Sequence, residues 1–78
     1  MNDNNLLLGK TIRRLRKLKQ LSQEDLGDLS GTGINFVSQL ELGKKTVRLD
    51  KLLSVLRVLG LQFFLRRGKE TISVSGDL

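Results

Sequence analysis

Residues 21–44 read LSQEDLGDLSGTGINFVSQLELGK, two short stretches of helical character either side of a glycine-rich turn. Ser22 stands three residues before Asp25, a shortened relative of the capping box, in which a hydroxyl and an acid satisfy free N–H groups at a helix start. Glu24 and Asp25 also suit the positive end of a helix dipole. A helix is therefore expected from Gln23 to about Leu29. Gly31, Thr32 and Gly33 then make a tight turn. After it, Ile34, Val37 and Leu40 fall on one side of a further helix, with Gly43 as its C-cap.

Upstream, Leu8, Ile12 and Leu15 recur at helical spacing from about Asn5 to Lys19, with Leu18 extending the stripe. Downstream, a loop through Lys44, Lys45 and Thr46 leads to Leu49, Leu52, Leu53, Leu56 and Leu59, an apolar stripe that stops before Gly60. Beyond Gly60 the period shortens to two. Leu61, Phe63 and Leu65 alternate with Gln62, Phe64 and Arg66, and Ile72 and Val74 with Ser73 and Ser75. The tail thus reads as β, with Gly68-Lys69 suited to turn a hairpin. An isolated two-stranded hairpin is marginal in water, so its apolar face needs a partner; a second copy of the chain is the simplest one. The expected fold class is mainly α: a four-helix bundle over residues 1–60, with a C-terminal β-strand or hairpin over residues 61–78 used for dimerisation.

A chain of 78 residues is one small domain, and its modest buried fraction makes oligomerisation an expected supplement to the core. With neither Cys nor His, disulfides, thiol nucleophiles, imidazole bases and nearly all transition-metal sites are excluded. No nucleophile–base–orienter set, phosphate-cradling glycine loop or metal-binding carboxylate cluster is legible, so no enzyme, metal or cofactor is expected. The N-terminus lacks the basic start and apolar core of a signal peptide, and no apolar run nears the roughly 20 residues that span a bilayer. The expectation is a cytoplasmic protein with no membrane partner. The net charge of +6 has a focus: Lys10, Arg13, Arg14, Arg16, Lys17 and Lys19 crowd one stretch, with no acid between Asp3 and Glu24. Such a face concentrates polyanions, nucleic acid above all, although a merely solvated helix face has the same composition.

Two short helices joined by a glycine-containing turn make the geometry in which the second helix enters the DNA major groove and the first crosses the backbone. The run Leu21-Ser22-Gln23-Glu24-Asp25-Leu26, followed by Gly31, Val37-Ser38 and Leu40-Glu41-Leu42-Gly43-Lys44, resembles the Cro/repressor (XRE) helix-turn-helix family over about residues 9–60. The resemblance implies a lambda-repressor-like bundle and binding to double-stranded operator DNA. It makes Gln23 a phosphate clamp at the start of the second helix. It sets Ile34, Asn35 and Gln39 against bases or the groove wall, Ser38, Lys44 and Lys45 near phosphates, and counts Gly33, at the N-cap, among the DNA-binding residues. Asn35 and Gln39 are the chemically suited readers, because a carboxamide both donates to adenine N7 and accepts from its N6 amino group. The resemblance also implies a structural ion pair, Arg16 with Glu41, holding the recognition helix against the first helix.

Several positions depart from the family pattern. Gly33 stands where a capping hydroxyl is common, and glycine is an acceptable N-cap. Ile34 replaces a polar reader, and either meets a thymine methyl or turns into the core. Phe36 is unexpected on an exposed helical position, with the second helix, a sugar or a partner protein as its candidate contacts. Gly27 replaces a usual Ala, and either residue is expected to permit close helix approach. After Gly60, the segment Leu61-Gln62-Phe63-Phe64-Leu65 resembles the tail of the HipB-type antitoxins, which pair that strand across a two-fold axis and bind a HipA-like kinase toxin. That resemblance implies a homodimer, recognition helices about one DNA turn (roughly 34 Å) apart, and an antitoxin that autoregulates its promoter. The alternatives are a stand-alone phage or plasmid repressor and a protein-only adaptor.

Overall fold

The computed structural model describes the backbone of residues 4–66 and 71–76 and the side chains of residues 4–64. Helices α1 (Asn4–Leu18), α2 (Gln23–Ser30), α3 (Ile34–Glu41) and α4 (Leu49–Val58) precede two strands, β1 (Leu61–Arg66) and β2 (Thr71–Gly76). The fold is the mainly helical bundle with a C-terminal β element that the periodicities predict. Helix α1 closes without a glycine. Gln20 takes φ 60°, and the Leu21 N–H reaches back to the Arg16 carbonyl at 3.1 Å, the six-to-one bond of a left-handed helix cap.

One core joins all four helices and the first strand. Ile12 of α1, Leu26 of α2, Val37 and Leu40 of α3, and Leu52, Val55 and Leu56 of α4 are buried with Leu59 and Leu61. Each contributes about 1.5–3 kcal/mol by leaving water. The leucine stripes are narrower than the sequence suggests. Leu18 is 72% exposed, because a repeat of three or four residues drifts round a 3.6-residue helix and carries the last member off the buried arc. Leu53 lies about 100° round α4 from Leu52 and faces outward, and Val55 fills the core in its place.

The two strands pair antiparallel, with Phe63 opposite Val74 and Leu65 opposite Ile72, so the alternating apolar positions are in register. The expected Gly68-Lys69 turn lies outside the described residues. The inner face of β1 does not wait for a second chain: β1 packs on α4, with Leu61 buried and Phe63 half-buried against the core. Gln62 and Phe64 point outward. No helix among the described residues is long and apolar enough to cross a membrane.

Candidate nucleic-acid interface

The start of α2 is held by two reciprocal bonds. Ser22 Oγ accepts from the Asp25 N–H and Asp25 Oδ2 accepts from the Ser22 N–H, both at 2.9 Å, which completes the capping box. The Ser22 N–H, and after it the Ser22 hydroxyl, hold the Asp25 carboxyl below the usual carboxylate range. Helix α2 ends at Gly31 with φ 72°, and the N–H groups of Thr32 and Gly33 both return to the Gly27 carbonyl, at 3.0 and 3.1 Å. Gly33 then leads into α3 with φ 93° and ψ 159°, a conformation reserved for glycine. No side chain caps α3. The helices meet closely enough that a Cβ on Gly27 would stand 2.5 Å from the Gly33 carbonyl carbon. Alanine is therefore not an equal substitute at position 27, contrary to expectation: the backbone of the turn occupies the space of its methyl group.

Helix α3 divides cleanly into two faces. Val37, Leu40 and Glu41 are buried, whereas Ile34, Asn35, Gln39 and Leu42 are exposed and Ser38 is half-buried. Offsets of one, four, five and eight residues from Ile34 put the outer set on one side of a 3.6-residue helix. Ile34 has turned outward, 47% exposed. Phe36 is half-buried against the core, with Lys51 Nζ of α4 lying 5.7 Å from its ring centroid. It thus meets α4 in this chain.

Between α1, the start of α2 and the outer side of α3 runs an open cleft of about 670 Å³. Its walls include Arg13, Gln23, Ile34, Ser38 and Leu42, and its base carries the Arg16–Glu41 pair. Arg16 donates from Nε to Glu41 Oε2 at 2.6 Å and from Nη2 to Oε1 at 3.0 Å, and from Nη1 to the Leu21 carbonyl at 2.8 Å. Both residues are buried, at 7% and 6% exposure. The bond to Glu41 raises the Arg16 pKa, outweighing burial, which lowers it. Gln23 joins the same group, donating from Nε2 to Glu41 Oε1 at 3.1 Å. The expected outward clamp is thus half-buried, and one of its donors is committed inside the protein.

Beyond α3 the chain turns at Gly43, with φ 86°, into the exposed Lys44 and Lys45. Lys44 Nζ donates to Gln39 Oε1 at 3.0 Å, so the loop lies beside the outer face of α3 and engages the acceptor of one expected base reader. Asn5 of α1 donates to the carbonyls of Lys44 and Lys45. Among the residues of this surface outside the expected set are Arg13 and Asn5. Arg13 has a sequence signal, one helical turn before Arg16 on the same face. Asn5 has none, because its bonds join residues 39 and 40 positions apart.

A short capped helix, a glycine turn and a second helix with one buried and one polar-rimmed outer face define a helix-turn-helix unit. The helix-turn-helix family model (HTH_3) matches residues 12–64. The chain belongs to this family, of the Cro/repressor (XRE) type. It is 40% identical over 53 residues to the "Uncharacterized HTH-type transcriptional regulator y4mF" of Sinorhizobium fredii, a match covering 68% of this chain and 70% of that protein.

Proposed function

We propose that the chain is a transcriptional repressor that binds double-stranded operator DNA as a homodimer, with α3 in the major groove and α2 across the backbone. The observation that carries this reading is the outer face of α3, where the carboxamides of Asn35 and Gln39 are exposed one turn apart while Val37 and Leu40 anchor the opposite face. The printed name of the S. fredii relative, a transcriptional regulator, supports it. In this reading Asn35 and Gln39 contact base edges, and Ile34, outward-facing, meets a thymine methyl. Gly33 lets the backbone approach the groove wall. Ser38, Lys44 and Lys45 contact phosphates. Gln23 keeps a second N–H for a phosphate while its first holds Glu41, so the same side chain joins the DNA backbone to the ion pair. The protein acts in the cytoplasm by binding and carries no catalysis.

Residues 61–78 serve as the dimerisation segment in this proposal, with Leu61 and Phe63 fixing the strand to the bundle and Gln62 and Phe64 facing the partner. The finer reading is an antitoxin that represses its own operon and binds a HipA-like kinase toxin. A strand directly after α4, in place of a fifth helix, supports it. A stand-alone repressor shares the DNA surface and lacks the toxin. The experiment is a mobility shift on the DNA upstream of the coding gene, with and without the product of the adjacent gene. A salt-sensitive shift supports the repressor, and a further shift on adding a kinase-like neighbour supports the antitoxin. No shift at low salt contradicts both.

A further inference from the structure

Asn5 stands in the first turn of α1, yet its side-chain bonds belong to the loop after α3. Its Nδ2 donates to the Lys44 carbonyl at 3.0 Å and to the Lys45 carbonyl at 2.9 Å. A carboxamide nitrogen has two N–H donors, so both are spent on consecutive carbonyls of one loop. The neighbouring backbone forms the seat: a Cβ on Gly43 would stand 3.0 Å from Leu6 Cα. In a planar trans peptide the C=O and N–H point in opposite directions. Drawing these two carbonyls onto α1 therefore turns the N–H groups of Lys45 and Thr46 away from it. Lys44, Lys45 and Thr46 are all exposed, and the Lys44–Gln39 bond holds the loop beside the outer face of α3. Two N–H groups turned away from α1, beside the Lys44 and Lys45 side chains, suit the oxygens of a phosphodiester.

We propose that Asn5 is a positioning residue for DNA binding: it fixes the Lys44–Thr46 loop so that its N–H groups and lysines meet the phosphate backbone. The inference rests on the proposed phosphate contact of Lys44 and Lys45.

Phosphate contacts are independent of sequence, so the probe is a labelled duplex of about 30 base pairs of arbitrary sequence, titrated with the full chain across a range of salt concentrations. The variants are Asn5→Ala, Lys44→Ala with Lys45→Ala, and all three together. The lysine pair is expected to lower the slope of log affinity against log salt by about 2. Asn5→Ala removes no charge, yet it weakens binding about fivefold and lowers the slope. In the lysine-free background its effect shrinks to the share carried by the loop N–H groups, which those substitutions leave in place. Asn5→Asp, of the same size but unable to donate as a carboxylate, binds more weakly than Asn5→Ala. Circular dichroism melts establish that each variant is folded at the assay temperature, and Asn5→Ser, which keeps one donor, replaces Asn5→Ala in the cycle if that variant is not. Wild-type affinity and slope for Asn5→Ala overturn the proposal, as does an equal loss in both backgrounds, the mark of a purely structural role. Wild-type binding by the lysine variant overturns the phosphate role of the loop, and the positioning role with it.

Discussion

Glu41 accepts three hydrogen bonds, two from Arg16 and one from Gln23, in a site where it is only 6% exposed. Removing the carboxylate leaves a buried guanidinium with the Leu21 carbonyl as its remaining partner in this group. Breaking a buried pair from one side costs about 3 kcal/mol, so Glu41→Ala is expected to lower the thermal midpoint by roughly 12 °C or more in a domain this small. An unchanged midpoint contradicts the role given to the pair. At Asp25 the prediction concerns pH. Its carboxyl titrates below the usual range because the Ser22 N–H and hydroxyl bond to it, so the unfolded chain binds more protons and stability rises with pH in that window. The contribution is present above the unfolded-state pKa and lost as pH falls through the folded one. A carboxyl NMR titration is expected to place Asp25 below a model aspartate, and Ser22→Ala, which keeps the backbone N–H, to return it only part of the way. The capping box was legible in the sequence because its two partners stand three positions apart. The Gln23–Glu41 bond was not, since it needs α2 and the end of α3 to converge in space.

At the scale of elements, the α2–α3 junction is set by two glycines with different tasks. Gly33 supplies a backbone conformation, and Gly27 supplies room for the backbone that results. Gly27→Ala improves helix propensity by about 1 kcal/mol but drives a methyl into main chain, where overpacking costs about 1–3 kcal/mol. Because backbone yields less readily than a side chain, the clash is expected to win, with a net loss of up to about 2 kcal/mol in denaturant unfolding. A more stable Gly27→Ala protein contradicts the close approach. Helix order was readable from periodicity, and the boundaries to within a residue: α3 is capped at Leu42, one position before the expected Gly43. The outward turn of Leu18 and Leu53 was not, because leucines at helical spacing mark a stripe without marking which edge of it is covered.

At the scale of the molecule, the tail belongs to the bundle as much as to any partner. Leu61 is in the core, and losing a buried leucine costs about 1.5–3 kcal/mol, so truncation at residue 60 mixes unfolding with dissociation. Phe64 is the cleaner probe, being 47% exposed on the outer side of β1. Phe64→Glu is expected to leave the helical signal intact and shift sedimentation from dimer to monomer, with weaker binding to a two-half-site operator. A variant that remains dimeric contradicts the role of the tail. The alternation after Gly60 announced a strand, but the sequence did not show that α4 of the same chain covers its inner face.

In the proposed function the outer face of α3 reads DNA sequence. That role is tested most directly by comparing the affinities of the wild-type protein, Asn35→Ala and Gln39→Ala for upstream DNA and for an arbitrary duplex at one salt concentration. The wild type is expected to prefer upstream DNA by about 10³-fold or more. Each substitution should erode that preference by about 1–3 kcal/mol; Asn35→Ala leaves binding to the arbitrary duplex unchanged, whereas Gln39→Ala, which also frees Lys44, weakens it slightly. Equal binding of the wild type to both duplexes, or substitutions without effect on the preference, contradicts the account.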